Sequence, residues 1–354
     1  MPRVSGMRPD SSALEFFMRI QLKKISDQTI VITGATSGIG LVTARLAASR
    51  GANLLLIARN EDALDRIAKE LDPAGKKTIW AVADVADRSA LEEAAAKAIT
   101  QFGQIDTWIN NAGVSIYGRN TEVSLEDQRR LFDTNYWGVV NGSLVAVEHL
   151  RQAGGAIINL GSELSDVAVP LQGAYSASKH AVKGFTDSLR VELAEENVPI
   201  SVTLIKPAGV DTQFVLHAKN YMEVEPKLPP PVYAPAIAAE AILTAAQQPR
   251  RDIYVGAASK LISSTNKCVP ALLDVYLKNC MFSQQRTETP KTDDGNALHA
   301  PLANASIRER GGATKVMPLS PYTFATSRAP VASRLAFLGI AFVLGRALTS
   351  RKRA

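Results

Sequence analysis

The sequence predicts an α/β fold, a single domain built on a doubly wound parallel sheet with a C-terminal extension. Three observations carry the expectation. Short apolar, β-branched runs alternate with segments of helical length and period. The runs are apolar throughout rather than at every second residue, as strands covered on both faces must be. A glycine-rich loop joins the first run to the first helix. The chain has 354 residues, 46% of them hydrophobic, enough to bury a sizeable core.

The elements follow in order. Thr29–Thr33 (Thr-Ile-Val-Ile-Thr) reads as a buried strand. Gly34-Ala-Thr-Ser-Gly38-Ile-Gly40 follows at once, then a helix over 41–49 closed by Gly51. Residues 53–58 form a second strand, and 61–71 an amphipathic helix with Leu64, Ile67, Ala68 and Leu71 on one face. A third strand covers 78–83, a helix 89–102, and a strand 107–110 leads into Asn111-Ala112-Gly113. Residues 124–150 are mostly helical, 156–160 a strand, 174–195 a helix, 200–205 a strand, 235–247 a helix and 252–255 a last strand. Residues 211–232, with Pro226, Pro229, Pro230 and Pro231, read as an irregular loop. Pro270 sits at the first turn of a helix running to Phe282.

Charge and rare residues narrow the function classes. The net charge of +6 is uneven: residues 1–27 carry five basic and three acidic groups, 28–250 carry 20 and 25, and 251–354 carry 15 and 6. The basic excess therefore belongs to the tail, which argues against nucleic-acid binding by the body and for contact with an anionic surface. Cys268 and Cys280 form no disulfide framework, which fits a reducing, cytoplasmic setting. The four histidines are scattered without metal-ligand spacing, so no metal is expected.

Five constellations carry chemistry. Thr36, Ser37 and Ile39, set among Gly34, Gly38 and Gly40, lie between a strand and a helix. The backbone there can approach a pyrophosphate at the helix N-terminus, the Rossmann-like mode of dinucleotide binding. The second strand ends in Ala58-Arg59-Asn60, with no carboxylate to repel a 2′-phosphate and an arginine to pair with one, so NADP is expected over NAD. Asp84 and Val85 follow the third strand, near the adenine edge, and Asn111, Ala112 and Gly113 follow the fourth. Ser162 follows the strand 156–160, at the same sheet edge; no G-x-S-x-G elbow surrounds it, so it is not a hydrolase nucleophile. Tyr175 and Lys179 lie one helical turn apart on one face. A phenol beside an ammonium suits general acid/base work, and the positive charge is expected to move the tyrosine pKa down.

Together these residues resemble the short-chain dehydrogenase/reductase family over about residues 24–260. Two further segments fit the resemblance. Asn135, in Asp133-Thr-Asn-Tyr-Trp-Gly138, matches the family's helix asparagine; Pro207-Ala-Gly-Val210-Asp-Thr212 matches the segment beside the nicotinamide, with Ala208 where a glycine is usual. The resemblance implies hydride transfer between nicotinamide and an alcohol or ketone. Tyr175 would be the acid or base, Ser162 would orient the substrate oxygen, and Lys179 would bind the nicotinamide ribose and lower the tyrosine pKa. Asn135 would hold a water in the proton relay. It also implies a homo-oligomer. Phe214, Val215, Leu216, Tyr221 and Met222 lie where the family closes over substrate, so they either bind a bulky apolar substrate or pack on the core.

The expected organisation is an N-terminal extension (1–23), the dinucleotide-binding domain (24–260), a C-terminal helix (261–282), a disordered linker (283–330) and a basic apolar tail (331–354). Leu335–Gly345 is eleven apolar residues, too short to span a bilayer, which takes about 20. Its flanking arginines suit peripheral membrane contact. The competing functional reading is a non-catalytic NADP-binding scaffold or membrane-associated regulator. An isomerase, epimerase or dehydratase on the same fold is disfavoured by the spacing of the Gly34–Gly40 loop.

Overall fold

The computed structural model describes residues 20–292, 295–302 and 307–328. Seven parallel strands form the central sheet: β1 (Thr29–Thr33), β2 (Asn53–Ala58), β3 (Thr78–Val82), β4 (Thr107–Asn110), β6 (Gly155–Leu160), β7 (Ile200–Pro207) and β11 (Asp252–Val255). Their order is β11-β7-β6-β4-β1-β2-β3, so the chain reverses direction across the sheet between β1 and β4. That switch point is where crevices open in doubly wound sheets. Strands β1, β4, β6 and β7 are buried at every residue, which is why each reads as an unbroken apolar run.

Helices cover both faces. α1 (Gly38–Ser49), α2 (Glu61–Leu71) and α7 (Pro235–Ala245) pack a core of Ile30, Ile32, Leu54, Leu56, Ile158 and Ile242. On the other face α3 (Arg88–Phe102), α5 (Gly138–Leu150) and α6 (Gly173–Glu195) close over Val31, Leu55, Trp108, Ile157 and Val202. Between α4 (Leu125–Phe132) and α5 the backbone widens into one π turn, Asp133–Trp137.

The extension departs from expectation. The residues read as a disordered linker carry, where described, β12 (Arg286–Pro290), β13 (Val316–Met317) and a helix, Pro321–Arg328. The two-residue strands β5 (Ile116–Tyr117) and β8 (Lys219–Asn220) pair with each other, β12 pairs with β9 (Val224–Pro226), and β13 with β10 (Val232–Tyr233), so part of the proline-rich loop is also strand-paired. The polar composition suggests disorder because it counts apolar residues. The body, however, offers buried acceptors: Asp211 takes the N–H groups of Gly311 and Ala313 at 3.1 and 2.9 Å and an ion pair from Arg310 at 2.5 Å. Helices over 257–268 and 270–276 follow β11, where a single C-terminal helix over 261–282 is expected from the sequence. The apolar run 335–345 and the N-terminal residues 1–19 lie outside the described residues. Among the described residues no helix is long and apolar enough to cross a membrane.

Candidate active site

The glycine loop leaves β1 and enters α1. Gly34 has φ +65°, a conformation that favours glycine. A Cβ on Gly40 would stand 2.2 Å from the Gly34 carbonyl oxygen and 2.5 Å from Asn111 Nδ2, so only hydrogen fits. Asn111 ties the loop in place. Its Nδ2 donates to the carbonyls of Thr33 (2.9 Å) and Gly34 (3.0 Å). The backbone amides of Asn111 and Ala112 donate to Thr33 Oγ1 at 3.0 and 3.1 Å. The loops after β1 and β4 are thus one unit. Ser37 precedes α1 without a side-chain capping bond, so its side chain takes none of the first-turn amides beyond Gly38, the kind of group that meets an anion.

The opposite end of the crevice holds the reactive side chains. Ser162 follows β6 and caps a 3₁₀ turn, Glu163–Ser165, its Oγ accepting from Leu164 N at 3.1 Å. Tyr175 and Lys179 lie in the first turns of α6, both buried. Lys179 Nζ donates to Leu160 O at 2.7 Å and sits 5.7 Å from the Tyr175 ring centre. An ammonium has three donors, so two remain after that bond. Burial lowers Lys179 to about 8. Burial also drives the Tyr175 phenol upward, partly opposed by Ser162. The expected downward shift of the tyrosine is therefore reversed here: desolvation outweighs an ammonium that is itself desolvated and turned to a carbonyl.

Asn135 sits in the π turn, fully buried. Its Oδ1 accepts from Val114 N (2.8 Å) and its Nδ2 donates to Val114 O (2.9 Å) and Ser178 Oγ (3.2 Å); Ser178 in turn donates to Tyr175 O at 2.8 Å. The asparagine thereby couples the loop after β4 to the helix carrying the tyrosine. Such π turns recur at functional sites.

At the third corner, Arg59 leaves the end of β2 with its guanidinium held by the carbonyls of Ala297 and, at 3.5 Å, Leu298. Asp84 is ion-paired with Arg130, whose Nε donates to Leu298 O at 3.1 Å. The extension also reaches the glycine loop, where Gly38 N donates to Arg308 O at 3.1 Å.

One cavity of about 310 Å³ joins these corners. It is lined by Gly34, Thr36, Ser37, Gly38, Ile39, Arg59, Asp84, Val85, Asn111, Ala112 and Gly113, and by Ser162, Tyr175, Lys179, Pro207, Val210 and Thr212. Gly40 and Asn135 do not line it: the first is a packing glycine and the second a buried brace. Of the five apolar loop residues only Phe214 reaches the cavity, edge-on to Tyr175 at 5.3 Å. Val215 and Met222 are buried against Tyr117 and Leu171, Leu216 is exposed, and Tyr221 donates to Asp127 at 2.7 Å. Sequence reasoning missed Glu163, Tyr117, Gln172, His217, Ile262, Met281 and Gln285, all of which line the cavity. The last three come from segments with no motif, and Glu163 was signalled only by standing next to Ser162. Among the described residues no acidic, histidine or cysteine cluster could hold a metal.

Comparison with known proteins agrees with this geometry. The family model described as short chain dehydrogenase matches residues 28–221. The uncharacterized oxidoreductase YxnA of Bacillus subtilis is 42% identical over 327 residues, 91% of each chain. The putative oxidoreductase SadH of Mycobacterium tuberculosis is 34% identical over 56% of this chain and 72% of its own. A short-chain dehydrogenase from Burkholderia cenocepacia, solved with NADP, superposes with a TM-score of 0.61 at 27% identity, covering 72% of this chain and 99% of its own. One from Burkholderia phymatum, solved with NAD, gives 0.61 at 25% identity, covering 77% and 100%. With its sheet order, its glycine loop and its serine, tyrosine and lysine at one cavity, the chain belongs to the short-chain dehydrogenase/reductase family of oxidoreductases.

Proposed function

We propose that the protein is an NADP-dependent oxidoreductase that interconverts an alcohol and a carbonyl compound, with Tyr175 as the proton donor and acceptor. The observation that carries this reading is the cavity itself. The glycine loop stands at one end, and Ser162, Tyr175 and Lys179 at the other. The residues fit a nicotinamide dinucleotide: Gly34, Thr36, Ser37 and Gly38 line the cavity at the N-terminus of α1, and Lys179 keeps two donors for ribose hydroxyls. When bound, the nicotinamide supplies or takes the hydride. Tyr175 gives its phenolic proton to the carbonyl oxygen in reduction, and its phenolate takes that proton back in oxidation. Ser162 Oγ holds the same oxygen, and the Lys179 charge favours the phenolate. Asn135 keeps the tyrosine helix in register with the loop after β4.

The NADP preference rests on Arg59, a cation on the cavity wall whose hydrogen-bond partners are carbonyls rather than a carboxylate. NADP- and NAD-bound structures both occur among the similar proteins, so the preference is this reading's own. The exposed Leu125, Trp137 and Val191, the last on the helix of Tyr175, support a contact with a second copy of the chain. The basic excess beyond residue 250 supports peripheral contact of residues 331–354 with an anionic membrane, and the free cysteines a cytoplasmic setting. The test is an NADPH-consumption screen over ketones, aldehydes and quinones, repeated with NADH. Turnover with NADPH is expected. Tight NADPH binding without turnover on any of them would turn the reading to a non-catalytic scaffold.

A further inference from the structure

The substrate end of the cavity has an apolar wall, with Val114, Leu164, Val169, Phe214, Ile262 and Met281 among its residues. Glu163 interrupts it, and two lining residues carry polar atoms buried just behind it. Glu163, the residue after Ser162, lines the cavity, and its carboxyl meets no hydrogen-bond donor or cation among the described residues. Gln285 is fully buried; its Nε2 donates to Pro170 O at 2.9 Å, while its Oε1 has no partner. Tyr117 Oη is buried beside the Gln172 side chain without a completed hydrogen bond. Two of the three are acceptors, and the charged one is adjacent to the residue that holds the reacting oxygen.

Resting on the oxidoreductase reading, we propose that the substrate carries a second hydrogen-bond donor, a hydroxyl or an amine, close to the reacting carbon, and that Glu163 accepts it. The Glu163 charge acts on the Tyr175 phenol, which Ser162 also meets, so the carboxyl stands at the reacting end of the cavity. A group met by Glu163 while Ser162 holds the reacting oxygen therefore sits close to that carbon, as in a vicinal diol or an amino alcohol. A carboxylate closed into an apolar wall by a purely apolar substrate loses its water and gains nothing. A donor on the substrate restores that bond. Sites built this way reject the analogue that lacks the donor far more strongly than apolar pockets reject a missing methylene. Burial among these side chains lifts the Glu163 carboxyl to about 7. Gln285 Oε1 and Tyr117 Oη would serve further polar groups along the same substrate.

The experiment reads binding, so that turnover does not enter. Full-length Tyr175→Phe protein with saturating NADP is titrated calorimetrically with three matched ligands: 4-phenylbutan-2-ol, 4-phenylbutane-1,2-diol and 1-amino-4-phenylbutan-2-ol. The same trio is repeated on a linear eight-carbon skeleton. The diol or the amino alcohol is expected to bind at least about tenfold more tightly than the mono-alcohol on one skeleton. Adding Glu163→Leu should bring that ratio close to one while NADP affinity is kept. Glu163→Gln separates the two donors: it keeps an acceptor for the diol and loses the charge that favours the amine. Equal binding within both trios, binding of none of the ligands, or a ratio that survives Glu163→Leu would overturn the proposal. Wild-type protein that binds the preferred ligand yet never oxidises it would instead strike the oxidoreductase reading and leave the recognition role standing.

Discussion

Replacing Arg59 with alanine should separate the two nicotinamide cofactors. The side chain stands directly after β2, on the cavity wall, and neither Ala58 nor Asn60 beside it is acidic. Its neighbourhood holds one further cation, Arg130, and one anion, Asp84, which Arg130 already pairs. The uncompensated charge at this corner is therefore that of Arg59. A hydrogen bond to a charged group contributes about 1.5–3 kcal/mol, so Arg59→Ala should weaken NADPH binding by about 10- to 150-fold. NADH has a hydroxyl where NADPH has the phosphate, and its affinity should change by less than about 3-fold. Fluorescence titration of both reduced cofactors reads the difference. The NADH arm also controls for structure, because Arg59 holds the carbonyls of Ala297 and Leu298 and its loss could loosen that segment. Salt gives a second readout: NADPH affinity should fall with ionic strength in the wild type and less in the variant. Equal losses for both cofactors, or no loss, would refute the assignment of Arg59 to the 2′-phosphate.

Other consequences are as direct. Gly40→Ala drives a Cβ to 2.2 Å from Gly34 O; the loop must shift, and affinity for NADPH and NADH should drop together by at least about tenfold. Asp211→Ala leaves two backbone amides and the Arg310 guanidinium without their acceptor. At about 1.5–3 kcal/mol for such a bond, amide exchange at Gly311 and Ala313 should quicken at least about tenfold, with β6 unaffected. Glu163 gives a pH signature. Its carboxyl, normally near 4.5, is lifted to about 7 by burial, so the folded chain binds more protons than the unfolded one between those values. Stability contributed by this group is therefore present at low pH and lost as pH rises through that window, by at most about 3 kcal/mol. In thermal unfolding without ligand, Glu163→Gln should gain a few degrees on the wild type at pH 8 relative to pH 5; a difference that does not change with pH would contradict the burial argument.

The sheet was legible because its strands are buried on both faces. Thr29–Thr33 and Thr107–Asn110 fall where the apolar runs place them, since their shortness, and in the first the β-branched content, favour a covered strand over a buried helix. The site was legible in outline, because Gly34, Ser162, Tyr175 and Lys179 stand at strand ends or on the first turns of a helix. Local spacing does not carry contacts made over long separations. Arg130 reaches Asp84 from 46 residues away and Gln285 enters the cavity after 110 residues beyond Tyr175, and no pattern marks either. The described part of residues 283–330, read as a disordered linker, differs for a related reason. Its order comes from partners such as Asp211 and β9, which the segment's own composition does not contain. The direction of the Tyr175 shift failed on magnitude: spacing puts an ammonium nearby, but only packing reveals how little water is left around both groups.

In the proposed reaction Tyr175 moves the proton while the glycine loop and Lys179 hold the cofactor. Tyr175→Phe deletes one oxygen and leaves the ring packed against Phe214. Single-turnover absorbance at the nicotinamide band, with NADPH and a carbonyl substrate of the wild type, measures the step itself. Turnover should fall by about 100-fold or more, with the NADPH dissociation constant within about twofold of the wild type. A phenylalanine variant that turns over at the wild-type rate would remove Tyr175 from the proton transfer.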